Sequence, residues 1–325
     1  MRHINRAGFL EALESTRRNF QKNYFAMYSS HLGGIVTDPV LMQMPVDDHV
    51  VHRGDGIFET FKCLDGHIYN MKAHLERLAG AARSLAYLVP CSLEETARIV
   101  IETIRAGEHR DCLVRILVSR GSGGFGVNPY ECPQAQLYVT ATALPPSFMK
   151  THPGGAKVVT SVIPIKPPFF AGIKACNYLP NVLMKKEAID AGADFAVGFD
   201  EQGCLAEGAT ENFGIVSQDK RLLFPSLDHI LPGTTMLRVA ELAKALVKDG
   251  RLSGIAFTAI PRQLVITAAE LIIAGTTPDV TAVVEFDGKP VNNGKPGPIQ
   301  QALSELLNND ITENPDIRTR VFDAL

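Results

Sequence analysis

One lysine interrupts the otherwise uncharged run GIKACNYLPNV, directly after PPFFAGI. The amine of Lys174 has two possible uses. It lies along apolar surface with its ammonium in water, the common fate of a long basic side chain, or it is desolvated and available as a neutral nucleophile toward carbonyl compounds. In CLAEGATENFGIV, Glu207 beside Gly208 is either a solvated turn residue or an inward-facing acid that needs a cationic partner. LPGTTMLRVAELAKALVKDG starts an apolar helical periodicity just after Gly233, Thr234 and Thr235. Those residues form either an ordinary N-cap or the positive helix end that receives a phosphate. In LIIAGTTPDV, Thr276 and Thr277 follow Gly275 at the end of an apolar strand, where N–H groups and hydroxyls can meet an anion. Arg77, in NMKAHLERLAGAARSL, falls opposite the stripe Leu75, Leu78, Ala79, Ala82 and Leu85, among small residues that let an anionic group approach. An amine for an aldehyde, an acid to keep a ring nitrogen protonated and donors for a phosphate are together what pyridoxal phosphate requires.

The elements that must position these residues follow from periodicity. Residues from Phe9 to Tyr28 read as a helix with an uneven apolar face. IFETFKCL and HIYNM read as strands joined at Asp65-Gly66, a hairpin signal, with a helix over residues 71–88. SLEETARIVIETIRAG carries a capping box at Ser92 and Glu95 and a stop at Gly107. DCLVRILVSRG and AQLYVTATAL are strands around the glycine-rich loop GSGGFGVNPYECPQ, and residues 144–155 form a linker. Beyond it AKVVTSVI, DFAVGF, NFGIVS and LIIAG are strands, while PNVLMKKEAIDAG, TTMLRVAELAKALVKDG and GPIQQALSELLNN are helices. Strands and helices mix in both halves without regular alternation, so the fold class is α+β in two domains. The expected division is a helical extension over residues 1–30, a small α/β domain over 31–147 and a larger α/β domain over 148–325 that contains Lys174.

Composition narrows the partners. The chain has 325 residues, 46% hydrophobic and 21% charged, with a net charge of -3 and a pI near 6.3. No basic run points to nucleic acid or a membrane surface, and no apolar stretch has membrane-spanning length. Six irregularly spaced cysteines form no metal-ligand pattern and read as reduced thiols. Without a secretory apolar stretch near the start, the expectation is a cytoplasmic protein that acts on small molecules, with no metal.

Six ordered motifs, HRGDGIFETF, HLERL, KACNYLPNVL, AEGATENFGIV, LPGTT and AGTTPDVTAVVEFDG, resemble the class IV (fold type IV) pyridoxal-phosphate enzymes. These include branched-chain and D-amino acid aminotransferases, amine transaminases and aminodeoxychorismate lyases. The resemblance runs from about Ile35 to Pro298 and implies a two-domain α+β fold like that of D-amino acid aminotransferase. It implies that Lys174 holds the cofactor aldehyde covalently and moves the Cα proton, and that Glu207 pairs with the ring nitrogen. Arg77, Thr234, Thr235 and Thr276 would bind the phosphate, and Tyr178 the phenolate oxygen. Phe58 and Thr277 would meet the substrate.

The implied reaction is ping-pong transamination between an amino acid and a 2-oxo acid, in a homodimer whose partner loop, GSGGFGVNP here, completes the pocket. Substrate motifs divide. LDGHIY, GDGIFE and the spacing from Lys174 to Asn177 resemble D-amino acid enzymes and the lyases, and NYLPNVL resembles plant D-amino acid enzymes. EGATEN and GFGVNP resemble branched-chain enzymes. Phe125 and Val127 stand where bacillar D-amino acid enzymes carry an arginine and a histidine to grip the substrate carboxylate. SRGSGG resembles the lyases, which release pyruvate and form 4-aminobenzoate on the same lysine. A cofactor-binding protein without turnover is the third alternative.

Overall fold

The computed structural model describes residues 1 and 3–322. They divide into two compact units, Met1–Leu144 with the segment from Pro315 onward, and Pro145–Asn314. The first is built on an antiparallel sheet of β1 (Tyr24–Ser29), β2 (Gly34–Val36), β3 (Gly56–Leu64), β4 (His67–Tyr69), β5 (Cys112–Ser119) and β6 (Gln136–Ala143). β3, β5 and β6 are central, and β1 pairs with β6. The helix predicted for residues 9–28 is therefore wrong over its second half. An α-helix forms over Arg6–Ser15, capped by the Asn5 side chain, a short 3-10 turn over Asn19–Asn23, and FAMYS runs as a strand. Pairing along β6 decides between the two conformations, and Ala26, Met27 and Ser29 bury their side chains as a result.

The Asp65-Gly66 turn joins β3 to β4 as expected, both residues at positive φ (48° and 71°), which suits the twist of the strands. On this sheet packs the helix Leu93–Gly107, whose buried face is Thr96, Ile99, Val100, Thr103 and Ile104. Ser92 caps it through Oγ, which accepts the Glu95 N–H at 3.1 Å. The left-handed stop falls on Glu108, one residue past the predicted Gly107.

In the second unit the strands are β7 (Ala156–Thr160), β8 (Phe195–Phe199), β9 (Leu205–Gly208), β10 (Asn212–Val216), β11 (Arg221–Phe224), β12 (Gly254–Phe257), β13 (Glu270–Gly275), β14 (Asp279–Phe286) and β15 (Lys289–Pro290). Six of them close on themselves in the order β10-β13-β14-β7-β8-β9, because Asn212 of β10 pairs with Glu207 of β9. Strand closure removes two edges and encloses an apolar core that includes Val158, Val197, Phe213, Ile215, Leu271, Ile273 and Val283. Helices Leu179–Asp190, Thr234–Leu242 and Pro298–Glu313 cover it.

The chain then returns to the first unit. β16 (Arg318–Arg320) pairs with β4, where the sequence reading continued the larger domain to residue 325. Three residues of RTR give no periodicity, and the edge of β4 supplies the hydrogen bonds that fix them.

Phe213 is fully buried in the closed sheet. Phe213→Ala is expected to cost about 3–5 kcal/mol in denaturant unfolding. A loss below about 1 kcal/mol, the level of a surface substitution, would show that the closed sheet does not carry the second unit's stability.

Candidate active site

In the second unit Lys166, Lys174, Tyr178, Asn181, Glu207 and Glu211 line one cavity. Lys174 follows the short helix Pro168–Ala171, and Tyr178 stands at the start of the helix Leu179–Asp190. Pro180 in that helix's first turn is preset for helical φ and fixes where the helix begins. The Lys174 Nζ donates to the Tyr178 hydroxyl at 3.3 Å. Asn181, one turn on, donates through Nδ2 to the Ala209 carbonyl at 2.5 Å and so joins this helix to the β9–β10 turn.

The Glu207 carboxylate accepts the Leu231 N–H at 2.9 Å, and Asn212 Nδ2 donates to the Leu231 carbonyl at 2.9 Å. Both side chains thus fix the segment that leads into the helix Thr234–Leu242. Gly233 is required at that helix's N-cap, since a Cβ there would lie 1.9 Å from Asn212 Oδ1. Thr234 and Thr235 are buried in the first turn. Ala274 pairs with Asn212 on the side opposite Glu207, which sets Gly275 and the half-buried Thr276 and Thr277 beside the same strand end.

Electrostatically the cavity holds two acids and two amines. Burial pushes the Glu207 carboxyl above its ordinary range, against the Leu231 N–H and the charges of Lys166 and Lys174, while Glu211 pushes it further up. Glu211 is also raised by burial, although Thr210 donates to it through both N–H and hydroxyl. Burial lowers the Lys166 ammonium and the Glu207 charge opposes this.

In the first unit, the anionic group that approaches Arg77 is the side chain of Glu59. Arg77 Nε and Nη2 donate to the two oxygens of Glu59, each at 2.7 Å, and His74 Nδ1 lies 2.6 Å from Glu59 Oε2. His74 and Arg77 are three residues apart on the helix Met71–Ser84 and so share the face turned to β3, where Glu59 is fully buried. Arg77 and His74 hold the Glu59 carboxyl at about 2 in spite of its burial. As a carboxylate it only accepts, so Nδ1 carries the proton.

Phe58, the neighbour of Glu59 on β3, is half-buried. Phe125 and Val127 are exposed on the glycine-rich loop, whose carbonyls at Phe125 and Gly126 accept from the Arg53 guanidinium. Lys166, Asn181, Glu211, Glu59 and His74 were missed from sequence. Lys166 gave the same signal as Lys174, a single charge in the uncharged run SVIPIKPPFFAG. The others become visible only through long-range pairing.

Residues 56–286 match the family model for amino-transferase class IV. The chain is 37% identical over 90% of its length to a D-amino-acid transaminase, chloroplastic, of Arabidopsis thaliana, covering 78% of that protein. It is 26% identical over 81% of its length to a branched-chain-amino-acid aminotransferase of Salmonella typhimurium, covering 86% of that one. Among solved structures it is similar to a T.th. branched-chain amino acid aminotransferase complexed with N-(5'-phosphopyridoxyl)-L-glutamate. There the TM-score is 0.83 with 28% identity, over 92% of this chain and 99% of that one. The chain belongs to the class IV aminotransferases and has their two-sheet α+β fold.

The acids of the two units respond to pH with opposite signs. Glu59 has a folded pKa of about 2 against an ordinary 4.5, so its contribution to stability is complete above the ordinary value and lost as pH falls toward 2. Glu207 is raised, so its contribution is complete at low pH and lost as pH rises through its folded value. Urea unfolding of the cofactor-free protein between pH 3 and 8 is expected to show Glu59→Gln losing about 3–5 kcal/mol at neutral pH and flattening on the acid side. Glu207→Gln should gain stability at neutral pH, and a loss there would contradict the direction given for Glu207.

Proposed function

We propose that this enzyme transfers an amino group between an amino acid and a 2-oxo acid with pyridoxal 5'-phosphate as cofactor. The observation that supports it best is the Lys174 amine hydrogen-bonded to Tyr178 in a cavity shared with Glu207. These residues fit the group: an amine for its aldehyde, a phenol, an acid, and a helix start held close by Gly233. When bound, the cofactor supplies a ring that accepts the electrons left when the substrate's Cα–H bond breaks.

In this reading Lys174 holds the aldehyde carbon in the resting enzyme, and its amine, once released, takes the Cα proton and returns it on the other side of the transfer. Tyr178 orients that amine. Glu207, steadied by the Leu231 N–H, is the anion for a cationic ring nitrogen. Thr234, Thr235 and Thr276 are assigned to the phosphate, and so, from the family resemblance, is Arg77, whose guanidinium is held in plane by Glu59 within its own unit. Phe58, Phe125, Val127 and Thr277 are assigned to the substrate. The same reading includes a homodimer and a cytosolic location. The six cysteines are all free, in keeping with a reducing compartment.

D-amino acids are the proposed donors, on the strength of the 37% identity to a D-amino-acid transaminase. Branched-chain L-amino acids are the second reading, favoured by the likeness of fold to the T.th. branched-chain enzyme.

A panel of D- and L-amino acids with 2-oxoglutarate or pyruvate, read by product oxo acid, separates the two. Turnover of D-Ala or D-Glu supports the first, and turnover of L-Leu, L-Ile or L-Val alone replaces it with the second. Cofactor binding without transfer to any oxo acid would turn the assignment to a lyase. Lys174→Ala should lose turnover by at least about 10²–10⁴-fold. Glu207→Gln should keep cofactor and turn over more slowly; wild-type rates in that variant would remove its role.

A further inference from the structure

The proposed reaction uses Lys174 and leaves the cavity's other lysine unexplained. Lys166 lies on the segment between β7 and the short helix Pro168–Ala171, and it is half-buried. Its Nζ is 4.7 Å from the centroid of the Tyr178 ring, nearer to that ring than the Lys174 Nζ at 5.8 Å. The titratable groups lining the cavity are Lys166, Lys174, Tyr178, Glu207 and Glu211, and Lys185 acts on Glu211 from outside the cavity lining. Two buried carboxyl groups thus share the cavity with two lysine amines. When Lys174 is committed to the aldehyde, Lys166 is the cavity's remaining primary amine.

We propose that Lys166 is a positioning residue of the active site: an ammonium, seated on the face of Tyr178, that favours the ionised form of Glu207. Attraction between Lys166 and Glu207 acts in both directions, raising the one and lowering the other. Burial alone would protonate Glu207, and a protonated acid is no anion for a cationic ring nitrogen. The ring face contributes as well, since it holds a cation without competing for it as an acceptor. The proposal rests on the pyridoxal-phosphate reading only for its purpose. Its physical content, the charge state of Glu207, is measurable without cofactor.

Lys166→Met is the test, because methionine keeps the unbranched apolar stem and its contact with the ring while it removes the charge. In cofactor-free protein labelled with ¹³C at glutamate side-chain carboxyls, Glu207 is identified by the signal lost in Glu207→Gln. Its titration midpoint should rise by about one unit in Lys166→Met. Lys166→Arg should restore it. In the loaded enzyme, the pH at which the cofactor absorption changes form should also move up in Lys166→Met and return in Lys166→Arg. An unmoved Glu207 midpoint, or a shift that arginine does not reverse, overturns the proposal. Failure of the wild-type protein to take up pyridoxal phosphate would overturn the functional reading instead and leave the carboxyl titration still decisive for Lys166.

Discussion

The active-site unit is organised around the carboxylate of Glu207. An acid enclosed by protein tends to take up a proton unless donors and cations offset the loss of water. Its offsets come from three parts of the chain: the Leu231 N–H, the ammonium of Lys166 and the ammonium of Lys174. Each needs a different piece of backbone fixed in place. The closed ring of strands brings Glu207 against Asn212, Asn212 holds the Leu231 segment, and that segment sets the start of the helix Thr234–Leu242. The contacts of this buried acid and of its strand partner thus fix the segment that leads to the helix N-terminus, and the β10–β13 register sets the Gly275 turn beside it.

The first unit answers a similar problem differently. Glu59 is buried as well, yet its carboxyl stays far below its ordinary range because a guanidinium meets both oxygens and His74 adds a third bond. That triad is locally satisfied, whereas burial pushes both Glu207 and Glu211 above their ordinary range. Carboxyl groups pushed above their ordinary range by burial are a common mark of a working site, and Glu207 and Glu211 both line the cavity that contains Lys174.

Features fixed by local chemistry were legible in the sequence. The Ser92 cap, the Asp65-Gly66 turn and the helix opening at Pro180 each depend on residues within a few positions of one another. What failed depended on distance. FAMYS is a strand because β6 lies beside it, and residues 318–320 are a strand because β4 offers an edge. The acid that meets Arg77 lies eighteen residues earlier and gave no local signal. At the candidate site the motifs led to Lys174, Tyr178 and Glu207, which line one cavity, and to Thr234 and Thr276, on segments that register and hydrogen bonds tie to the same strand end. Lys166 was readable by the argument that singled out Lys174. An isolated lysine in SVIPIKPPFFAG raises the same question as one in GIKACNYLPNV.

With two lysines in one cavity, the central claim is that they divide the work: Lys174 takes the aldehyde and Lys166 supplies charge. Hydride reduction of the protein loaded with pyridoxal phosphate, followed by peptide mass mapping, tests it most directly. The account predicts the phosphopyridoxyl group on Lys174 in the peptide containing CNYLPNV, with Lys166 unmodified. The group on Lys166, or on neither lysine, would contradict it.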